Sequence, residues 1–596
     1  MTDKMNKNKK IITFVLIAIL LIQVIALFSV FTFLKQGHHS DEVWNYAFAN
    51  SYESGTLEVD KNGYTTFNQW HSAEVFKEYI TVDKEHRFAY SANIRNAAND
   101  LNPPFQYMVL HTISSFFPGV FSWYFCFAIN IVAFVVSQIY IFKLTSKITG
   151  SDLAGIAAIV LYGFGVGAMD VTIFMRIYAL AVMFVAIFAY YSHQMSETGK
   201  EKIQIKYLIP LFISCFLGAY TLHVFLMVAF IITLCYEVYY LLTKKIKLFF
   251  IHGLTCLFAA LLTLVLVPNT FKHVGGINEA HSFSEVSYPF LYDLRLYFYS
   301  LTKDLFGIHV ISYPNVYLVS ILVILLFICI MLTPIVFLVR REAWFVKFKD
   351  KLKEKIKNVI DARKGFKFTL IAFFMAIVGT TCVVAKWTSY FFMKEYSNRY
   401  IFVLYPITIV LGVSLAYFVL HFTVSNSKAV AIILMVICVI LSTITHFMVG
   451  NRAYFFEHEE EGITFDDLGQ DARSVIVLWQ DWIITCFAPD LYKTDAYFAT
   501  NYFNFKVPFV FDDADPNKEY YLIVDQHYIL PDDMTYEEAR QYPYYDAAGE
   551  NLYSEDDFLK FYRELDTVDK VEYVGKDAEF GRVFKIYRVY LANDFQ

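Results

Sequence analysis

The feature that most constrains this chain is a succession of apolar blocks, each long enough to cross a lipid bilayer. The first runs from Ile11 to Leu34, and comparable runs recur as far as Val449. A helix needs about 17–25 such residues to traverse the hydrocarbon. Every backbone N–H and C=O inside lipid must be satisfied within the segment itself, so blocks of this kind fold as helices. The expected fold class is a polytopic α-helical membrane protein, and composition agrees. Hydrophobic residues make up 57% of the chain and charged residues 18%, against roughly a quarter charged in soluble domains.

Charge is distributed unevenly, which orients the spans. Basic residues crowd into short loops, whereas Asp and Glu concentrate in the stretch after the first block and in the tail after Gly450. The amino terminus carries Lys4, Lys7, Lys9 and Lys10 ahead of a long apolar run with no Ala-x-Ala after it. That pattern predicts an uncleaved first transmembrane helix, not a signal peptide. The net charge is −6, and this asymmetry of charge fixes topology and says nothing in favour of nucleic acid. All cysteines except Cys486 fall inside apolar blocks, so no disulfide framework is implied.

Placing basic loops inside yields about eleven spans. The amino terminus lies inside and a long polar stretch, residues 35–119, lies outside. Spans over 120–142, 153–168, 172–191, 207–219, 222–242, 248–268, 316–339, 368–384, 400–420 and 429–449 follow. Basic clusters such as Lys143/Lys147, Lys244/Lys245/Lys247 and Arg340-Arg341 then share one side. An odd number of crossings leaves the acidic tail outside. Pro103 to Pro118 is apolar but contains Gln106, His111 and Ser114-Ser115; it is too short to cross and predicts an amphipathic helix along the interface.

The tail changes character. β-rich runs such as Ser474–Trp479, Tyr520–Val524 and Val583–Tyr590 alternate with polar, helix-compatible stretches, which predicts an α/β domain. The domain reading is therefore a transmembrane domain over 1–450 with its large first outer loop, and an extracytoplasmic soluble domain over 451–596. No internal repeat or glycine-rich phosphate loop is present.

Ionisable residues cluster on the expected outer side. Asp41-Glu42 follows the first span. Asp100-Leu101-Asn102-Pro103-Pro104-Phe105-Gln106-Tyr107 precedes the second, with His111 one helical turn beyond Tyr107. Asp170 is expected in a tight outer turn ahead of Arg176-Ile177-Tyr178-Ala179. Tyr220-Thr221-Leu222-His223 forms another turn, and Lys394-Glu395-Tyr396-Ser397-Asn398-Arg399-Tyr400 leads into a later span with Pro406 after it. Acidic and basic groups near hydrocarbon are costly and mark function when retained. Blander readings stand beside this one: Arg176 can snorkel to the interface, Arg399 can pair with Glu395, His111 and His223 can be packing residues, and His38-His39 need not be metal ligands.

Taken together, these elements resemble the bacterial GT-C membrane glycosyltransferases of the protein mannosyltransferase and aminoarabinose transferase group (glycosyltransferase family 39-like). The resemblance covers roughly residues 10 to 450. In that family an Asp-Glu pair opens the first outer loop, matching Asp41-Glu42; a His-Pro-Pro-Leu-Tyr-Tyr element matches Asn102 to Tyr107. An Arg-Met-Tyr-Ala element matches Arg176-Ile177-Tyr178-Ala179, a Thr-His pair matches Thr221 and His223, and an Arg-Tyr followed by Pro matches Arg399-Tyr400 and Pro406. Two departures stand out. The family's histidine before Pro-Pro is Asn102 here, and its acidic residue two before the arginine is Phe174, with Asp170 one turn earlier as the substitute.

The resemblance implies an inverting transfer of a sugar from a polyprenyl-phosphate donor to a glycan, lipid or protein acceptor on the outer face of the cytoplasmic membrane. It implies Asp41 as general base, supported by Glu42 and Asp170. It places Arg176, His223, Lys394 and Arg399 on the donor phosphate, and Asn102, Tyr107, His111 and Tyr178 on substrate. No cofactor is demanded; a divalent metal is an option that Asp41, Asp170 and His223 leave open. Two other functions remain in view: a transporter or flippase of lipid-linked saccharide, and a non-catalytic scaffold with an outer binding domain.

Overall fold

The computed structural model describes residues 2–35, 37–52, 57–58, 65–98, 102–197, 205–267, 290–307, 366–388, 397–424, 426–448, 460–527, 529–530, 534, 538, 553–579 and 582–592. Two compact units emerge. The first comprises Met1–Ser29, Leu101–Phe105 and Phe127–Ala453; the second comprises Val30–Asp100, Gln106–Cys126 and Tyr454–Gln596.

The first unit is helical. Among the described residues eight helices are long and apolar enough to cross a membrane, and a ninth crossing is available if the helices Asp152–Gly163 and Val166–Ile173, bent by 60° at their junction, form one broken span. The fifteen-residue helix Ile205–Ala219, expected as a span, is short for the hydrocarbon. The expected span 316–339 lies outside the described residues. The protein is thus a polytopic membrane protein, with eight or nine apolar crossings among the described residues.

The faces of these helices show why lipid is their solvent. In Ile246–Leu266 the buried positions are Leu248, His252, Cys256, Ala259 and Thr263, a helical stripe dominated by small and polar residues. Phe250, Leu254, Phe258, Leu261 and Val265 point outward. A soluble helix has the reverse arrangement; membrane helices put small residues against their neighbours. The same logic holds elsewhere. A Cβ on Gly163 would run into Gln23 and Gln138. Those two amides bind each other at 3.1 Å, and Gln23 Nε2 donates to the Ile159 carbonyl at 2.8 Å.

Among the described residues the second unit is built on a seven-stranded sheet of order β1-β4-β3-β5-β7-β6-β2. Strands β3 (Ala472–Leu478), β4 (Ala496–Asn501) and β5 (Glu519–Asp525) are parallel, with β3 between the other two. β3 and β5 are buried almost throughout, as parallel strands covered on both faces are. β7 (Arg582–Leu591) runs antiparallel to β5 and β6 (Val568–Glu579) antiparallel to β7. β2 (Glu461–Gly462) edges β6, where Gly462 at φ +67° abuts the Val574 carbonyl too closely for any side chain. The other edge comes from the first loop: β1 (Trp70–Ser72) pairs antiparallel with β4, and Trp70 Nε1 donates to the Val510 carbonyl at 2.8 Å. The helix Glu74–Ile80 then covers the sheet, stacking Phe76 on Tyr497 at 4.1 Å. The segment after Pro103 forms the short helix Phe105–Phe116, as expected.

Candidate functional site

In the second unit the site begins at the helix Ser40–Asn50. His39 is its N-cap: its Nδ1 accepts from the Asp41 amide at 3.0 Å, and Glu42 Oε2 accepts from the His39 amide at 2.8 Å, a reciprocal capping arrangement. The other Glu42 oxygen meets Lys35 Nζ at 2.6 Å, with both side chains at most 1% exposed. One carboxylate of the pair is thereby committed twice over. Asp41, its neighbour, keeps 14% of its side chain open. The same helix packs inward through Tyr46, which donates to the Ser122 carbonyl at 2.7 Å and accepts from the Cys126 amide at 3.1 Å.

The remaining expected residues of this unit are internal. Tyr107 is fully buried, with its ring 5.5 Å from Phe48. His111 is buried edge-on against Tyr90 at 5.7 Å. Burial pushes its pKa below the usual histidine range, while the carbonyls of Ala49 and His86 pull the other way. His38 lies flat on Trp123, ring to ring at 3.8 Å. The rings of His38 and His39 thus serve stacking and capping.

In the first unit the expected residues sit where helical regularity fails. Asp170 is not in a turn, as the sequence suggested, but inside the helix Val166–Ile173 and 1% exposed. That helix ends at Phe174, an extended C-cap, and the next begins at Tyr178; the expected continuous span from Thr172 is therefore broken in its first turns. Asn130 holds the break open, its Nδ2 donating to the carbonyls of Thr172 (3.0 Å) and Phe174 (2.9 Å). Arg176 occupies the non-helical stretch. Tyr178 starts the next helix, with its ring 5.6 Å from Phe402.

Phe402 belongs to a second irregular segment, the 3-10 helix Ser397–Leu404, which carries Arg399. This segment packs on both sides of the break and on the helix Phe290–Phe306. From that helix Asp304 accepts from Asn398 Nδ2 at 3.0 Å and from Tyr405 Oη at 2.7 Å, so it grips the 3-10 helix on both flanks of Arg399. Burial drives the Asp304 carboxyl above its usual range, with the hydrogen bonds from Tyr405 and Asn398 opposing. Arg176, Asp304 and Arg399 are 4, 4 and 6% exposed. Four ionisable residues, counting Asp170, are thus buried around three abutting elements.

His223 opens the helix His223–Leu242 and is half-buried. Asn102 is likewise half-buried, and the chain after it is pinned by the Phe105 amide donating to the Tyr220 carbonyl at 3.2 Å. Lys394 lies outside the described residues. Among the described residues no group of three or more His, Cys, Asp and Glu is placed to hold a metal ion.

Sequence reading missed Lys35, Asn130 and Asp304. Asp304 had left a signal: the buried face of its helix runs Asp293, Tyr297, Leu301, Asp304, placing two acids on an otherwise apolar stripe. Asn130 had left one too, as an amide within a long apolar helix.

No family model and no curated protein matches the sequence. Among solved structures the chain is similar to ArnT from Cupriavidus metallidurans in the apo state, with a TM-score of 0.46, 10% identity and coverage of 96% of this chain and 97% of that one. It is also similar to ArnT from the same organism bound to undecaprenyl phosphate, with a TM-score of 0.43, 10% identity and the same coverage.

Proposed function

We propose that the chain is an integral-membrane glycosyltransferase of the GT-C type. It moves a sugar from a polyprenyl-phosphate donor to a glycan, lipid or protein acceptor at the outer face of the cytoplasmic membrane. Residues 1–450 form the transmembrane part, with the amino terminus inside, and 451–596 an extracytoplasmic domain. The observation that carries this reading is the burial of Arg176 and Arg399, both belonging to the quoted motif elements, at two irregular segments that pack together. A guanidinium is costly to bury, and its planar fork matches phosphate oxygens.

In this reading Asp41 takes the proton from an acceptor hydroxyl, whose oxygen attacks the anomeric carbon from the face opposite the lipid phosphate. The bond from that carbon to the phosphate oxygen breaks and the configuration inverts. Charge building on the departing phosphate is met by Arg176 and Arg399, with His223 and Lys394 behind them. Glu42 keeps Lys35 and the helix start in place, so it supports Asp41 without sharing the proton transfer. Asn102, Tyr107, His111 and Tyr178 shape the surroundings.

The bent helix pair Asp152–Gly163 and Val166–Ile173 favours a second reading. Transporters build their sites on discontinuous helices, so a carrier of lipid-linked saccharide is the rival. Mass spectrometry of surface glycans separates the two in a strain lacking the gene and in one carrying Asp41→Asn. A transferase predicts loss of the same sugar in both. Unchanged glycans in the Asp41→Asn strain, with loss in the deletion, would favour the carrier.

A further inference from the structure

The second unit contains a cleft of about 480 Å³ that none of the chemistry above uses. Its volume is in the range of pockets that enclose small organic ligands. One wall comes from the segments Gly37-His38 and Phe121–Tyr124, the other from the sheet domain through Thr464–Asp466, Pro489–Lys493 and Asp577.

The two walls differ chemically. The first is aromatic: His38 is stacked on Trp123, and Phe121 meets Trp123 edge-on at 4.8 Å. Tyr492 continues this surface from the opposite wall, 6.2 Å from Phe121. The second wall is acidic. Asp577 is already engaged, its Oδ2 accepting from the Phe465 amide at 2.8 Å. Asp466 is exposed at the rim. Asp490 stands apart: its Oδ2 is shielded from solvent yet has no hydrogen-bond partner among the described residues. Asp490 also lines the cleft, and a buried carboxyl oxygen left without a hydrogen bond is costly. Burial, followed by the nearby carboxylates of Asp466 and Asp577, holds the Asp490 carboxyl well above its ordinary range, with Lys493 opposing. A protonated Asp490 supplies a hydroxyl donor as well.

Carboxyl groups beside ring faces suit a ligand that carries many hydroxyls on an apolar ring skeleton. Carboxylates outnumber the single lysine, so a phosphate or another anion is repelled. That separates this cleft from any donor-phosphate site. We propose that the cleft is a saccharide subsite taking a neutral, hydroxyl-rich sugar segment between the Trp123/Tyr492 aromatic surface and the Asp466/Asp490 carboxyls. His38 lies three residues before Asp41, and on the transferase reading, in which Asp41 deprotonates the acceptor, we assign the segment bound here to the acceptor. That last step rests on the transferase reading, whereas saccharide binding does not.

The test uses full-length protein in nanodiscs against immobilised neutral oligosaccharides, built on hexose and N-acetylhexosamine, and sialylated or sulfated ones. Binding to at least one neutral class is expected, weakened tenfold or more by Tyr492→Ala and by Asp466→Ala, and severalfold by Asp490→Asn. Asp466 is at the surface, so its replacement leaves folding intact. Absence of neutral-glycan binding, a preference for anionic glycans, or binding that survives all three substitutions would overturn the subsite. Sugar transfer is scored separately by glycan mass spectrometry. Neutral-glycan binding without transfer sinks the transferase reading and keeps the subsite; transfer with binding indifferent to the substitutions does the reverse.

Discussion

Lys35 and Glu42 form a buried ion pair, Nζ to Oε1 at 2.6 Å. It ties the end of the first helix to the start of Ser40–Asn50, where Glu42 also binds the His39 amide. Removing one partner strands a buried charge, which costs about 3–5 kcal/mol. Lys35→Ala and Glu42→Ala are each expected to lower the melting temperature sharply, and Lys35→Met combined with Glu42→Met to recover much of the loss. Asp41→Asn, whose side chain is partly open to solvent, is expected to lower the melting temperature less than either alanine variant. Thermal unfolding in detergent measures all four; equal losses for Asp41→Asn and Glu42→Ala would contradict the division of labour.

Arg176 and Arg399 are expected to act through the geometry of their guanidinium forks. Arg176→Lys and Arg399→Lys keep the charge but lose bidentate phosphate contact. Each is predicted to reduce sugar transfer by roughly 100-fold or more, the scale of losing one preorganised donor. Glycan mass spectrometry of complemented strains reads this out, and near-native transfer by both variants would remove the phosphate role.

Asn130 is a positioning residue for the break that carries Arg176. Asn130→Ala removes the side-chain donor from the Thr172 and Phe174 carbonyls; the Phe174 carbonyl keeps the Arg176 amide at 2.7 Å, so the cost falls mainly at Thr172, about 1–3 kcal/mol if left unmatched. The variant is expected to melt earlier and to transfer less, with Asn130→Gln restoring part of both. If Asn130→Ala melts early but transfers normally at low temperature, the residue is structural alone.

The sheet domain carries a pH-dependent clasp. Partial burial works against ionising Asp495, and hydrogen bonds from Arg473 (2.6 Å) and Lys518 (3.1 Å) more than offset it, so its pKa lies below the usual carboxylate range. A lowered folded-state pKa contributes stability that is fully present above the unfolded value of about 3.9 and lost as pH falls through the folded value. The melting advantage of the native chain over Asp495→Asn should therefore be constant at neutral pH and shrink below about pH 4. An advantage that grows on acidification would refute the clasp.

The sequence by itself determined the membrane class, the positions of most long helices and the β-rich tail, because block length and hydropathy are local properties that lipid reads directly. It also drew attention to Asp41, Glu42, Asp170, Arg176 and Arg399 as costly ionisable groups among apolar residues. Only the tertiary structure decided where those groups sit and what holds them. Asp41 and Glu42 are adjacent and chemically alike, and it is the Lys35 ammonium, seven residues earlier, that fixes Glu42 in place. Asp170 moved from a turn into a helix because Asn130, from another helix, caps the chain four residues later. The 3-10 helix bearing Arg399 is gripped by Asp304, and the tail's sheet takes its edge strand from residues 70–72. The last three depend on which distant segments meet. Periodicity records the face a residue shows, whereas the partner that face finds is set by the packing of the whole chain.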